Sequence, residues 1–473
     1  METSFVDQLS AIISSISSVV WGVPMVALIM SAGLVLSIRN KFVQFRGLRH
    51  SGALISGKYD KEDDAGELTH FQALTAALAA TVGIGNIAGV ATAIYFGGPG
   101  AIFWMWVSAV LGMAIKFSSC TLAVKYRVID KNGSVRGGPM YFIEKGLGKK
   151  WKPLAIFFAV CTALAALGAG NGVQSNTIAA SIVDILDKTG TDSEGTLRLI
   201  VGIVVTALAG LVIIGGIKRI GKVAEKLVPF MSIVYVGSAL AVLFMSAEHI
   251  LPSFGLIFEY AFNPAAATGG AAGFTVWMAL TWGMKRGVFS NEAGLGSSPM
   301  AHAAVKVDEP VKEGLVAMLE PFIDTLIICT MTALVIISSG LWSPEVNTSM
   351  LNASPLTSAA FEHVLPGFGR IMVTLGVLLF GFSTILTWSY YGEKGIEYIG
   401  GEKAKLPYKF VFLAVTLLGA TVNLQLIWDF ADVANALMAL PNIIGLMALS
   451  GVVAVMGRKY FRELGEGKHR PVR

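Results

Sequence analysis

The stretch Thr81-Val82-Gly83-Ile84-Gly85-Asn86-Ile87-Ala88-Gly89 lies in the middle of an apolar run from about residue 71 to residue 96. A run of that length can cross a bilayer as a helix, which takes about 20 apolar residues. Glycines at 83, 85 and 89 make it a poor helix, because each costs roughly 1 kcal/mol relative to alanine. In hydrocarbon a freed N–H or C=O must find a partner inside the protein or in a water-filled cavity. A span broken at mid-depth therefore offers main-chain dipoles to a ligand. Half-helix N-termini suit a carboxylate, and unwound carbonyls suit Na⁺.

The rest of the chain fits a bilayer. Of 473 residues, 54% are hydrophobic and only 14% charged, and mean hydropathy is +0.67; a soluble domain carries about 25% charged residues. The expected class is an all-α polytopic membrane protein, with the lipid bilayer as its solvent. The net charge of +5 comes from basic residues clustered in short loops, which signals topology rather than a nucleic-acid surface. Cys120, Cys161 and Cys329 lie in apolar spans without metal spacing and read as small core residues. The first apolar run, 11–38, follows an acidic start and precedes Arg39. A signal peptide would put the positive charge before the apolar run, so this reads as a transmembrane helix.

Eleven segments of spanning length fall near 15–38, 71–96, 100–126, 153–185, 197–216, 222–246, 271–304, 313–339, 366–393, 405–425 and 429–456. Basic loops alternate with poor ones: 39–70, 127–152, 217–226 and the tail after Gly457 are rich in Lys and Arg, whereas 186–196, 247–270 and 340–365 carry Lys188 alone. The positive-inside rule then puts the N-terminus outside and the C-terminus in the cytoplasm, in the cell (inner) membrane. The organisation expected is an extra N-terminal helix (1–38), a cytoplasmic basic loop (39–70), a first five-helix repeat (71–246), an outer loop (247–270), a second five-helix repeat (271–456) and a basic tail (457–473). The outer segments 247–270 and 340–365 are too long for simple turns and read as caps or plain linkers.

Five spans per half is an odd number, so the halves cross in opposite senses. Each half opens on a glycine-interrupted span, with Asn86-Ile87-Ala88-Gly89 in one and Asn291-Glu292-Ala293-Gly294 in the other. Such pairs in corresponding positions point to a transporter's binding site. The seventh span also holds Lys285, Arg286 and Glu292, and ionisable groups at depth mark pathways or ion pairs; Glu292 has both cations as candidate partners. The break is expected through about 283–292. Asp324, Asp429 and Asp432 sit near span ends and read as interfacial.

Further polar residues flank the breaks. Ser383 and Thr384 sit one turn before Thr387 and Trp388, and a Ser-Thr pair opposite unwound carbonyls makes a site for a hard monovalent cation. Gly168 to Thr177 holds the amides Asn171, Gln174 and Asn176, readable as interhelical hydrogen bonds or as pocket wall. Trp282, Met284, Phe289 and Trp388 are candidates for a wall limiting ligand size, and Gln174 and Asn291 complete that candidate substrate set. The match of Gly83 to Ala88 to a dinucleotide fingerprint lacks the strand–turn–helix context it requires. Histidines are scattered, and no reactive constellation suggests an enzyme. A channel and a transporter remain open on these grounds.

At these residues the chain resembles the alanine/glycine:cation symporters, also called sodium:alanine symporters. The resemblance spans nearly the whole chain and is densest at Thr81–Ala93, Gly97-Gly98-Pro99-Gly100, Gly137-Gly138-Pro139-Met140-Tyr141 and Phe289–Gly296. It implies a leucine-transporter-type fold, five plus five inverted repeats behind one extra helix, and uptake of small neutral amino acids, chiefly alanine and glycine, coupled to Na⁺ or H⁺. It implies no organic cofactor and no protein partner; nucleobase or sugar transport is the alternative within the fold. Laid on this sequence, the leucine-transporter pattern implies one Na⁺ site from the carbonyls of Ala79 and Val82 with Ser383 and Thr384. It implies a carboxylate site at the N–H groups around Gly83, Ile84 and Gly85, with Asn86 and Thr384 nearby. A second Na⁺ site would use Thr81 and Asn86.

Overall fold

The computed structural model describes residues 5–59, 64–131, 133–186, 194–262, 276–342, 353–422 and 424–469. Helices α1 (Phe5–Val20) and α2 (Val23–Arg39) form the N-terminal span, with Pro24 in the first turn of α2. The first half then runs α3 (His70–Thr81), α4 (Ala88–Gly97), α5 (Gly100–Tyr126), α6 (Lys149–Leu186), α7 (Glu194–Ile213), α8 (Gly216–Met245) and α9 (Ala247–Phe262). The second half runs α10 (Val276–Asn291), α11 (Pro299–His302), α12 (Pro310–Ser338), α13 (Ser354–Val364), α14 (Gly369–Gly400), α15 (Lys405–Gly419) and α16 (Leu424–Gly465). A small antiparallel hairpin, β1 (Val128–Ile129) with β2 (Val135–Arg136), follows α5.

Among the described residues eight helices are long and apolar enough to cross a membrane, and α3 with α4, bent by 58°, makes a ninth. The spans expected at 271–304 and 405–425 appear as the shorter α10, α11 and α15. The outer segments contain the helices α9 and α13, while the parts at 187–193, 263–275 and 343–352 lie outside the described residues. The tail is not separate from the last span: α16 runs on to Gly465. Large apolar side chains stand fully outward along the spans, Phe244 at 85% and Ile233 at 72% exposure, as a hydrocarbon solvent requires.

The first break falls at the quoted stretch. A capping box opens α3, with Thr69 Oγ1 accepting from the Gln72 N–H and Gln72 Oε1 from the Thr69 N–H. Helical geometry stops at Val82 (ψ 85°), Gly83 is extended, and a 3₁₀ turn over Ile84–Asn86 leads into α4. Asn86 Oδ1 accepts from the Gly83 N–H at 2.8 Å, which replaces a lost helical bond.

The second break lies later than the expected 283–292. α10 is continuous to Asn291, and the chain leaves the helix at Glu292 (φ 55°), Gly294 (φ 97°) and Gly296 (φ 86°). Gly283 and Gly287 serve close packing instead of interruption: a Cβ on Gly283 would stand 2.3 Å from the Ala101 carbonyl, and one on Gly287 would stand 2.9 Å from Ser108 Oγ. Left-handed backbone at Glu292 is costly for a residue with a Cβ. It is held by Asn442 Nδ2 donating to the Gly294 carbonyl at 2.7 Å and by Ser297 donating to the Glu292 carboxylate.

The two broken helices lie side by side. A Cβ on Gly85 would stand 3.1 Å from Ser290 Cα. Their far ends are tied through the main chain: the N–H groups of Glu67 and Leu68 donate to the Ala304 carbonyl, the Lys306 N–H donates to the Leu68 carbonyl, and Leu68 and Val305 form a parallel bridge.

Candidate functional site

The last turn of α3 has lost its partners at the break, and α14 answers it. Ser383 Oγ donates to the Ala79 carbonyl at 3.1 Å, and Thr384 Oγ1 lies 3.2 Å from the same oxygen and 3.3 Å from the Ala80 carbonyl. Two hydroxyls and two carbonyls thus converge in a fully buried position. Ala80 is an addition to the expected set. Val82 caps the half-helix, its N–H given to the Leu78 carbonyl at 2.7 Å. This is a hard-oxygen cluster of the kind an alkali cation takes.

Beside it is a narrow space with a volume of about 10 Å³, roughly what one water needs, lined by Ala80, Thr81, Gly83, Gly85, Ala169 and Gln174 on one side and by Phe289, Glu292, Thr384, Trp388 and Asn435 on the other. Gly83 has no room for a side chain, since a Cβ would stand 2.6 Å from Thr384 Oγ1. The Ile84 N–H is directed at Gln174 Oε1 (3.4 Å), whose Nε2 donates to the Ala169 carbonyl. Asn171 and Asn176 donate to carbonyls of Phe412, Gly419 and Val422. So of the amide cluster, Gln174 faces the space and the two asparagines bind helices together.

Two expected wall residues, Trp282 and Met284, do not line this space, nor do Ile84, Asn86 and Asn291 of the wider substrate set. Trp282 stacks on Phe96 at 4.4 Å. Met284 is buried in the core. Asn291 is turned into the second break, its Nδ2 on Thr325 Oγ1 (3.2 Å) and its Oδ1 on the Ala293 N–H (3.0 Å). An unbroken α10 carries successive side chains to different faces, so of the residues expected from that helix Phe289 reaches the space while Trp282, Met284 and Asn291 do not. Trp388 also reaches it, fixed by Nε1 donating to Glu292 Oε1 at 2.7 Å and by Gly170, where a Cβ would stand 2.2 Å from the indole side chain.

The second-cation residues are otherwise engaged. Thr81 Oγ1 donates back to the Ala77 carbonyl (3.2 Å), and Asn86 Nδ2 donates to Asp324 Oδ1 (2.6 Å). Asp324 is not interfacial, contrary to expectation. It is fully buried in a π-helical stretch of α12 (Phe322–Cys329), accepting from Asn86, Ser290 (2.8 Å) and Thr325 (2.7 Å). The extra backbone residue of a π turn re-aims a side chain, here toward the first break.

Asp432 is likewise buried, 2.6 Å from Lys285 Nζ and 3.5 Å from Arg286. These two cations therefore pair with α16, not with Glu292. Above the space Phe289 and Trp428 lie 4.9 Å apart, with the Arg286 guanidinium 4.8 Å from the Trp428 ring centroid. Asn435, whose Oδ1 is buried without a hydrogen-bond partner among the described residues, faces the space and was not expected. Its signal is an amide flanked by Ala434 and Ala436 inside an apolar span.

Two broken helices beside an oxygen cluster and a narrow buried space are the architecture of a secondary transporter. The comparisons with known proteins agree. The family model of the sodium:alanine symporters matches residues 6–473, and the chain belongs to that family. A sodium/alanine symporter of Methanococcus maripaludis, AgcS, is 46% identical over 456 residues, covering 96% of this chain and 97% of that protein. A probable sodium/glutamine symporter of Bacillus subtilis, GlnT, is 37% identical, covering 97% and 92%. Among solved structures, MhsT in complex with L-phenylalanine shares the fold, with a TM-score of 0.58 at 13% identity over 83% of this chain and 98% of that one. The protein is thus a multi-pass membrane Na⁺/amino acid symporter and not an enzyme.

Proposed function

We propose that this protein imports small neutral amino acids, alanine and glycine, together with Na⁺ by alternating access. The observation that carries this is the Ala79 carbonyl, approached by Ser383 and Thr384 at the edge of a small closed space. Na⁺ occupies the cluster of Ala79, Val82, Ser383 and Thr384, with Ala80 beside it. The substrate carboxylate faces the main chain at Gly83 and Gly85, and its side chain faces Phe289 and Trp388. The space is narrow in this closed conformation, and with glycines on one side and two ring systems on the other it widens around a methyl group more readily than around an isobutyl one. Thr81 and Asn86 are left to shape the break rather than to hold a second cation. The N-terminus lies outside and the C-terminus in the cytoplasm of the cell membrane, following the distribution of basic loops.

Uptake of labelled alanine into proteoliposomes is expected to need an inward Na⁺ gradient, with glycine competing and leucine not. Equal uptake with Li⁺, K⁺ and Na⁺ overturns the coupling ion, and a proton gradient that replaces Na⁺ establishes the H⁺ reading. Competition by glutamine stronger than by glycine overturns the substrate.

A further inference from the structure

Below the space, on the side of the bundle bearing the basic loops, lies a buried chain of acids and bases that the binding site does not use. His70 Nδ1 bonds one oxygen of Glu313. The other oxygen of Glu313 is 2.5 Å from His302 Nδ1, and His302 Nε2 is 2.8 Å from Glu320 Oε1. Glu320 Oε2 is 2.7 Å from both Lys116 Nζ and Ser298 Oγ, and Lys116 also donates to Ser298. All of these side chains are buried.

Geometry fixes one proton here. His302 has a carboxylate oxygen at hydrogen-bond distance from each ring nitrogen, and a carboxylate can only accept. Either the ring carries both protons, or one of the two carboxyls is protonated. In both cases the trio holds a proton beyond the complement of a neutral imidazole and two carboxylates. Cys120 Sγ lies within 4.8 Å of His302 and Glu320 ligand atoms, but both ring nitrogens and both Glu320 oxygens are already bonded. The arrangement described by these contacts is a chain of hydrogen bonds.

The partners are divided between two pairs of elements, which Arg127 at the end of α5 joins by donating to the carbonyls of Ala65, Ala303, Val305 and Val307. The histidines sit on the half-helices α3 and α11, which are tied to each other through Leu68, Ala304 and Lys306. The carboxylates and the lysine sit on α12 and α5. Among the described residues, charged or titratable groups within electrostatic reach include Cys120 on α5, Tyr391 on α14, Glu292 and Asp324 around Lys116, and Arg127 with Asp64 beside Glu313.

We propose that His302, clamped between Glu313 and Glu320, is a proton-binding site of the inner pathway, which empties into the cytoplasm when α3 and α11 part from α5 and α12. On parting, water reaches the ring, its proton passes to cytoplasmic water or buffer, and closing takes one back. The closed state then binds one proton more than the open state, so rising pH favours opening. The inference rests on the orientation and alternating access proposed above.

The test is amide hydrogen exchange of the purified full-length protein, following peptides over 70–81 and 299–306. After division by the intrinsic amide rate, the opening constant of the wild type is expected to rise by up to about tenfold per pH unit in a window within about pH 6 to 8.5. In His302→Gln and in Glu313→Gln, the latter included in case the former does not fold, that dependence is expected to flatten. A flat wild-type profile overturns the proposal, as does an unchanged slope in a folded variant. The readout needs neither Na⁺ nor substrate, so failure of Na⁺-driven alanine uptake with the slope intact would count against the transport reading alone.

Discussion

Gly83 and Gly89 stand six residues apart in the same stretch and do different work. An added methyl at 83 meets Thr384 Oγ1 at 2.6 Å, while at 89 nothing lies within 4 Å. Gly83→Ala is therefore expected to abolish alanine uptake in a protein that still elutes as a folded species. Gly89→Ala, in the first turn of α4, should transport normally and gain up to about 1 kcal/mol in stability, read by thermal unfolding. Ser383→Ala and Thr384→Ala should each raise the Na⁺ concentration for half-maximal uptake by about tenfold, which is about 1.4 kcal/mol. An unchanged Na⁺ curve in both variants removes the assignment. Glycines, hydroxyls and the Asn86 turn are legible in the sequence because their chemistry acts through their own backbone or the next turn. Trp282 and Met284 are not, since aromatic and methionine density says nothing about which helix face meets the pocket. His302 and Glu320 sit 18 residues apart, but His70 reaches Glu313 across 243 residues; only the folded chain brings them into one line.

At the scale of elements, the two breaks differ in what makes them. The first is written in composition, three glycines and an amide in nine residues, and appears where that composition stands. The second depends on left-handed backbone at Glu292, held by Ser297 five residues on and by Trp388 and Asn442 from other parts of the chain. Asn291-Glu292-Ala293-Gly294 marks its place in the sequence, but the glycines that pack α10 against α5 look like interruptions when read alone and set the expected start too early. The π-helical turn in α12 that buries Asp324 is silent in the sequence. The link between α10 and α16 gives a test of its own. Asp432→Asn leaves Lys285 and Arg286 buried against a neutral partner, and breaking such a pair costs about 3–5 kcal/mol. A clear fall in thermal stability is expected, and Lys285→Ala in the same background should restore part of it.

Over the whole molecule, span order and the alternation of basic loops are legible because hydrocarbon imposes length and apolarity on every crossing. That same alternation makes orientation testable. All three native cysteines are buried, so wild type should stay blank with a membrane-impermeant maleimide. Lys459→Cys, on the exposed side of α16 near its end, should label only after the membrane is opened, whereas Glu248→Cys, at the start of α9, should label in intact cells. Labelling of both in intact cells would reverse or break the assigned topology.

The bridge joining Leu68 to Val305 has a mechanical consequence. Three main-chain bonds couple the two half-helices at their ends, so neither can swing without dragging the other or tearing that seam. A covalent staple across it should leave turnover intact if the pair travels as one lever, and should freeze the cycle if the two limbs move apart.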